Sequence, residues 1–135
     1  MSKTIIWIED DYDIIEPVIY PLRKAGYKVI NIENTKEAVE KLAELKNADL
    51  ILLDMFLPKG SGGKNFGEYP GYMLLKELRD DCQITTPVVV LTVISNGELR
   101  TELEKLVIDG IIYKPVRPSK LKEIVDEVFQ KYEAK

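Results

Sequence analysis

The sequence predicts a doubly wound α/β protein: a flavodoxin-like three-layer sandwich with a five-stranded parallel sheet and about five helices. Three observations lead there. Short apolar runs alternate with longer amphipathic ones along the whole chain. Three of those runs, Ile5–Ile8, Leu50–Leu53 and Val88–Leu91, are nearly continuous in Ile, Leu, Val or Trp, the pattern of strands covered on both faces. The chain has 135 residues with 45% hydrophobic and 31% charged side chains, enough for one core in one domain spanning 1–135.

The expected strands are Thr4–Ile8, Tyr27–Ile32, Asp49–Leu53, Pro87–Thr92 and Gly110–Tyr113. The first helix is expected over Asp13–Ala25, with Asp11 and Asp13 as its caps. It carries Pro17, tolerable in a first turn, and Pro21, which removes an internal hydrogen bond and should kink it. Asn34 followed by Glu37 reads as a cap for a helix to about Lys46 that buries Ala38, Leu42 and Leu45. Tyr72, Met73, Leu74 and Leu75 open a further helix and read as core, as does Trp7. Ser95 and Glu98 stand at capping-box spacing ahead of Leu99, Leu103 and Leu106. Pro118 suits a first helical position, and Leu121, Ile124, Val125, Val128 and Phe129 then recur at helical spacing.

Pro58–Gly71 breaks this rhythm. It holds five of the eight glycines and reads as a long functional or mobile loop. Its Gly60-Ser61-Gly62-Gly63-Lys64-Asn65 is not a phosphate-binding loop, because Pro58 stands where the first glycine belongs and Asn65 replaces the metal-binding hydroxyl.

Composition excludes several functions. No histidine is present, which removes histidine general-base catalysis and histidine metal ligation. A formal net charge of -4 argues against direct nucleic-acid binding, since phosphate contacts need clustered Lys and Arg. The single cysteine, Cys82, cannot close an internal disulfide and suits a reducing, cytoplasmic setting. No membrane span or signal peptide is legible, and no output domain is recognised.

In such sheets sites form at the carboxyl ends of the strands. Those ends read Glu9-Asp10-Asp11, Asp54, Thr92 and Lys114-Pro115. Two carboxylates about 4 Å apart repel by roughly 4 kcal/mol at an effective dielectric near 20, so Glu9, Asp10 and Asp54 together call for a cation. Hard oxygen donors at this density suit Mg²⁺. A carboxylate is also a competent nucleophile toward a phosphoryl donor, and a metal, Lys114 and the Thr92 hydroxyl would neutralise and hydrogen-bond the incoming oxygens.

The segments Ile5-Ile6-Trp7-Ile8-Glu9-Asp10-Asp11, Asp49-Leu50-Ile51-Leu52-Leu53-Asp54-Met55-Phe56-Leu57-Pro58, Val88-Val89-Val90-Leu91-Thr92 and Tyr113-Lys114-Pro115 resemble, in order and spacing, the four signature blocks of two-component response regulator receiver domains of the chemotaxis-regulator type. The resemblance implies that Asp54 accepts a phosphoryl group from a histidine kinase or phosphotransfer protein. It implies that Asp10, Asp54 and the backbone carbonyl of Phe56 bind Mg²⁺, and that Glu9 orients a metal-bound water. Thr92 would be the switch hydroxyl and Lys114 the phosphoryl contact, with a cis Lys114-Pro115 peptide bond. Phosphorylation would then alter a surface formed by the fourth helix, fifth strand and fifth helix, read by an unknown output protein or a homodimer. Such a domain accepts a phosphoryl group and self-dephosphorylates without being a turnover enzyme. Four features depart from the family pattern: the long Pro58–Gly71 loop, Ile111 at a position where an aromatic switch is common, Val93 after Thr92, and the apolar pair Phe56 and Ile94.

Three rival readings are weaker. An aspartyl phosphatase wants a second Asp two residues after the nucleophile, where Phe56 stands. A nucleotide- or flavin-binding module would receive phosphate after the first strand, and Glu9-Asp10-Asp11 would repel it. The strongest rival is a receiver-like interaction module that works without phosphorylation.

Overall fold

Five short apolar runs, each too short for a stable helix, form strands, buried at the centre of the sheet and partly exposed at its edges, and the amphipathic segments between them cover both faces. The computed structural model describes residues 2–10, 12–55, 70–92 and 97–133. The strands are β1 (Thr4–Ile8), β2 (Lys28–Ile32), β3 (Leu50–Asp54), β4 (Val88–Thr92) and β5 (Gly110–Tyr113). All pair in parallel, in the order β2-β1-β3-β4-β5. This is a doubly wound, flavodoxin-like sheet whose order reverses between β1 and β3, the place where such folds build their sites.

The helices are α1 (Tyr12–Lys24), α2 (Thr35–Glu40), α3 (Leu42–Asn47), α4 (Pro70–Lys76), α5 (Gly97–Glu104) and α6 (Pro118–Glu133), and a short π-helical turn, Glu77–Asp81, continues α4. Side chains alternate across each strand. Ile6, Ile8, Ile51, Leu53, Val88 and Val90 therefore face one core with Ala38, Leu45, Leu74, Leu75 and Leu103. Ile5, Trp7, Leu50, Leu52, Val89 and Leu91 face the other, with Ile15, Ile19, Leu22, Leu121, Val125 and Phe129 of α1 and α6. Every residue of β3 and β4 is buried, which explains their lack of polar alternation. Each fully buried large aliphatic side chain of these two strands contributes about 1.5–3 kcal/mol.

Several details differ from the sequence expectation. Where one helix was expected after Asn34, the chain leaves helical geometry at Lys41 (φ -114°, ψ 38°) and two short helices result. The Asn34 cap is present: its side chain accepts from the Glu37 amide at 2.7 Å, and the Glu37 carboxylate accepts from the amide of Glu33 at 2.8 Å. Ala38 and Leu45 are buried as expected, and Leu42 lies partly buried beside them. Helix α1 starts at Tyr12, so Pro17 lies beyond the first turn, and both prolines sit inside the helix. Met73 is exposed, whereas Leu74 and Leu75 are fully buried, because only one side of α4 meets the sheet. Tyr27 lies just ahead of β2, its hydroxyl donating to Asp126 and its ring tilted against Phe129. Asp11, Phe56, Val93, Ile94, Ser95 and all of the long loop before Pro70 lie outside the described residues.

Arg79, in the π-helical turn, fastens the opposite end of the sheet from the acidic cluster. Its guanidinium donates to the carbonyls of Ile84, Thr86, Leu106 and Val107 at 2.7–3.3 Å. Among the described residues, no helix is long and apolar enough to cross a membrane.

Candidate functional site

Register alone places the chemistry. Ile8 is level with Leu53, Asp54 with Leu91, and Thr92 with Tyr113. The residues that leave β1, β3, β4 and β5 therefore emerge at one edge. Glu9 and Asp54 are buried there, at 4% and 5% exposure, and Thr92 is buried beside them.

Lys114 reaches across from β5. Its Nζ donates to Glu9 Oε2 at 2.9 Å and to Asp54 Oδ2. One ammonium thus holds two carboxylates that come from strands 105 and 60 residues away in the chain. The backbone helps to place it: the Lys114 amide donates to the Thr92 carbonyl at 2.8 Å, and the Lys114-Pro115 peptide bond is cis. Asp10 follows Glu9 but is exposed, so the structure brings together Glu9, Asp54, Lys114 and Thr92 and leaves Asp10 at the rim. Among the described residues, no three acidic groups form a ready-made metal cage.

Electrostatics follow from this crowding. Burial, then the neighbouring Asp54 carboxylate, push the Glu9 carboxyl up to about 8, although Lys114 pulls it down. Lys114 is pushed up in spite of its burial, because it is hydrogen-bonded to both acids. With both acids ionised, the site would hold more negative charge than one lysine offsets.

A pH dependence follows. Below pH 4.5 Glu9 is protonated whether the chain is folded or not. Between 4.5 and about 8 the folded chain keeps a proton that the unfolded chain releases. Stability of the metal-free protein is therefore lost as pH rises through that window. Glu9→Gln removes this loss, so at pH 8 with chelator present the variant should exceed the wild type by a few kcal/mol, and at pH 4.5 by far less. Urea unfolding of both proteins at the two pH values checks this, and an equal difference at both would contradict it.

Gly71 is a site residue that residue-type reasoning passed over. A Cβ at this position would lie 2.1 Å from the Asp54 carbonyl oxygen and 2.6 Å from the Met55 Cα. The Gly71 amide also donates to the Met55 carbonyl at 2.8 Å. The first turn of α4 is thus seated directly on the backbone carrying Asp54. The available signal was a Pro-Gly pair opening a helix, which marks close backbone approach only once the partner strand is known.

The fold and the edge cluster together define a class: a doubly wound sheet presenting buried acids, a hydroxyl and one lysine at its carboxyl edge. The family model for the response regulator receiver domain matches residues 5–126, and the chain belongs to that family. It is 33% identical over 124 residues to the phosphate regulon transcriptional regulatory protein PhoB of Pseudomonas aeruginosa, covering 90% of this chain and 49% of that protein. It is 29% identical to the alkaline phosphatase synthesis transcriptional regulatory protein PhoP of Bacillus subtilis, covering 98% of this chain and 51% of that one. The chain thus spans about half the length of the curated relatives it matches. Among solved structures, a CheY-like response regulator receiver domain protein from Methanospirillum hungatei superposes with a TM-score of 0.80 at 24% identity, covering 99% of this chain and 98% of that one. This chain is therefore a receiver domain of the two-component response regulator type, a family of signalling modules.

Proposed function

We propose that Asp54 accepts a phosphoryl group, with Mg²⁺ as cofactor, and that this event switches a protein-interaction surface. The observation that carries the reading is the bridge from Lys114 Nζ to both Glu9 and Asp54 at the carboxyl edge of the sheet. A lysine already in contact with the acceptor carboxylate is positioned to pair with a phosphoryl oxygen once that carboxylate becomes an acyl phosphate.

The donor set fits a hard divalent ion. Glu9 and Asp54 supply buried carboxylate oxygens, Asp10 stands next in the chain, and Mg²⁺ takes one or two carboxylates while keeping several waters. The raised pKa of Glu9 marks charge that a cation would relieve. Glu9, Asp10 and Asp54 would hold the ion, with the Phe56 carbonyl as the further ligand that the family resemblance implies. When bound, the ion supplies positive charge against the acids and the phosphoryl oxygens.

In the proposed transfer, an Asp54 carboxylate oxygen attacks the phosphorus of a phosphohistidine on a histidine kinase or phosphotransfer protein. The O–P bond forms as the P–N bond breaks, and its electron pair stays on the imidazole. Lys114 balances the charge brought in, and the Thr92 hydroxyl donates to a phosphoryl oxygen. Because the Lys114 amide is bonded to the Thr92 carbonyl, movement at Thr92 reaches β5 directly. The surface of α5, β5 and α6 would then shift between two states, read by an output protein or a second copy.

Acetyl phosphate and Mg²⁺ test this. Mass spectrometry should find one phosphoryl group on the peptide containing Asp54, with none in Asp54→Ala and none when the metal is chelated. An unlabelled wild type, or label persisting in the variant, would overturn the reading.

A further inference from the structure

Strand β2 reads Lys28-Val29-Ile30-Asn31-Ile32, and its asparagine is locally out of place. Asn is among the residues least suited to a strand, whereas its neighbours Ile30 and Ile32 are among the best. An unfavourable choice inside a regular element calls for an offsetting role. Its contacts show one. The half-buried Asn31 side chain donates through Nδ2 to the Trp7 carbonyl at 3.0 Å and to the Glu9 carbonyl at 3.0 Å, with a longer approach of 3.4 Å to the Ile32 carbonyl.

The two short bonds straddle the end of β1. Trp7 is within the strand and level with Asn31; Glu9 is the first residue past its end. The Glu9 amide is still bonded to the Ile32 carbonyl at 2.9 Å, the last residue of β2. Beyond that point the β1–β2 ladder has no further strand residues on either side, and the direction in which the chain leaves β1 depends on what holds the Glu9 carbonyl. One –NH₂ group carries two hydrogens, one for each carbonyl. The span it fixes is the one that turns the Glu9 carboxylate inward to Lys114 while Asp10 stays at the rim.

We propose that Asn31 is a positioning residue for the acidic site: its amide clamps the exit of β1, so that Glu9 and Asp10 are held where the divalent ion must meet them. The proposal rests on the reading of the site as an Mg²⁺-dependent phosphoacceptor. Asn31 touches neither Asp54 nor Lys114 in the bonds above and acts only through the backbone of Glu9. Outer partners that orient metal ligands commonly influence metal affinity by tenfold or more.

Asn31→Val isolates the effect. It removes the two donors, suits the strand better than Asn, and should leave the melting temperature, followed through Trp7, the single tryptophan, at or above that of the wild type. Mg²⁺ titration followed by amide chemical shifts should show affinity weakened about tenfold. In the metal-free protein, the Glu9 and Asp10 amides should exchange faster while those of Ile5 and Ile6 keep their protection. Asn31→Ala should repeat both results. Wild-type Mg²⁺ affinity and wild-type exchange at Glu9 and Asp10 in these variants would overturn the clamp. So would a lowered melting temperature with unchanged affinity, which is the signature of a purely structural asparagine. Failure of the wild type itself to bind Mg²⁺ and take label at Asp54 would instead bring down the phosphoacceptor reading, and the clamp with it.

Discussion

Lys114→Met should cost about 3 kcal/mol of stability at pH 8 in the absence of divalent metal, and more at about pH 9.5. Methionine nearly preserves the volume of the lysine stem, so the loss is chiefly electrostatic. Two buried carboxylates, Glu9 and Asp54, lose the one ammonium that bridges them. Removing one partner of a buried pair typically costs 3–5 kcal/mol, and the lower end applies because the Lys114 side chain retains 24% exposure. The pH dependence has a definite sign. Glu9 has its folded-state pKa raised to about 8 with the lysine present, and loss of the lysine raises it further. Below about pH 8 Glu9 therefore keeps its proton in both folded proteins and the deficit is nearly level; above that pH only the wild type releases it, and the deficit grows. Added Mg²⁺ at pH 8 should restore part of the lost stability, because a ligand that binds only the folded chain stabilises it. Chemical unfolding at both pH values, with and without Mg²⁺, measures all three effects. A deficit that does not grow between pH 8 and about pH 9.5 would show that packing, not charge, was lost.

Gly71→Ala should be similarly damaging, by a different route. The added methyl would stand 2.1 Å from the Asp54 carbonyl oxygen and 2.9 Å from its carbonyl carbon, and both obstacles are backbone. No rotamer change relieves such an overlap, so α4 must lift or β3 must bend. Overpacking of a close-packed interior commonly costs 1–3 kcal/mol, and loss of the Gly71–Met55 hydrogen bond adds about 1 kcal/mol. A total of roughly 2–4 kcal/mol is expected in thermal or urea unfolding, together with slower labelling of Asp54, because the strand that bends carries the proposed acceptor. A variant as stable as the wild type would mean that the close approach of α4 to β3 is not maintained in solution.

Much of this was legible in the linear chain. Runs such as Leu50–Leu53 and Val88–Leu91 have no polar alternation, and only a sheet covered on both sides buries them completely, as observed. Asn34 with Glu37 announced a cap that the structure contains. Boundaries were less legible: Tyr27 has strand character yet is drawn aside by Phe129 and Asp126, and Lys41 interrupts what the spacing of Ala38 and Leu45 presents as one helix. Met73 shows the same limit, since four apolar residues in a row cannot all face the sheet from one helix. Arg79 was silent in the sequence because its partners are backbone carbonyls, which every residue type possesses.

By itself the sequence determined the alternation of strands and helices, the parallel sheet and the set of polar residues left at strand ends, since the periodicity of buried apolar side chains is a local property. Only the tertiary structure decided which of those residues meet. Glu9, Asp54 and Lys114 touch because parallel pairing levels Ile8 with Leu53 and Thr92 with Tyr113, and the exposed Asp10 is excluded from that contact. Gly71 and Asn31 belong to the same category. Each acts on a backbone carbonyl far away in the chain, and such a partner has no side-chain identity for a sequence to display.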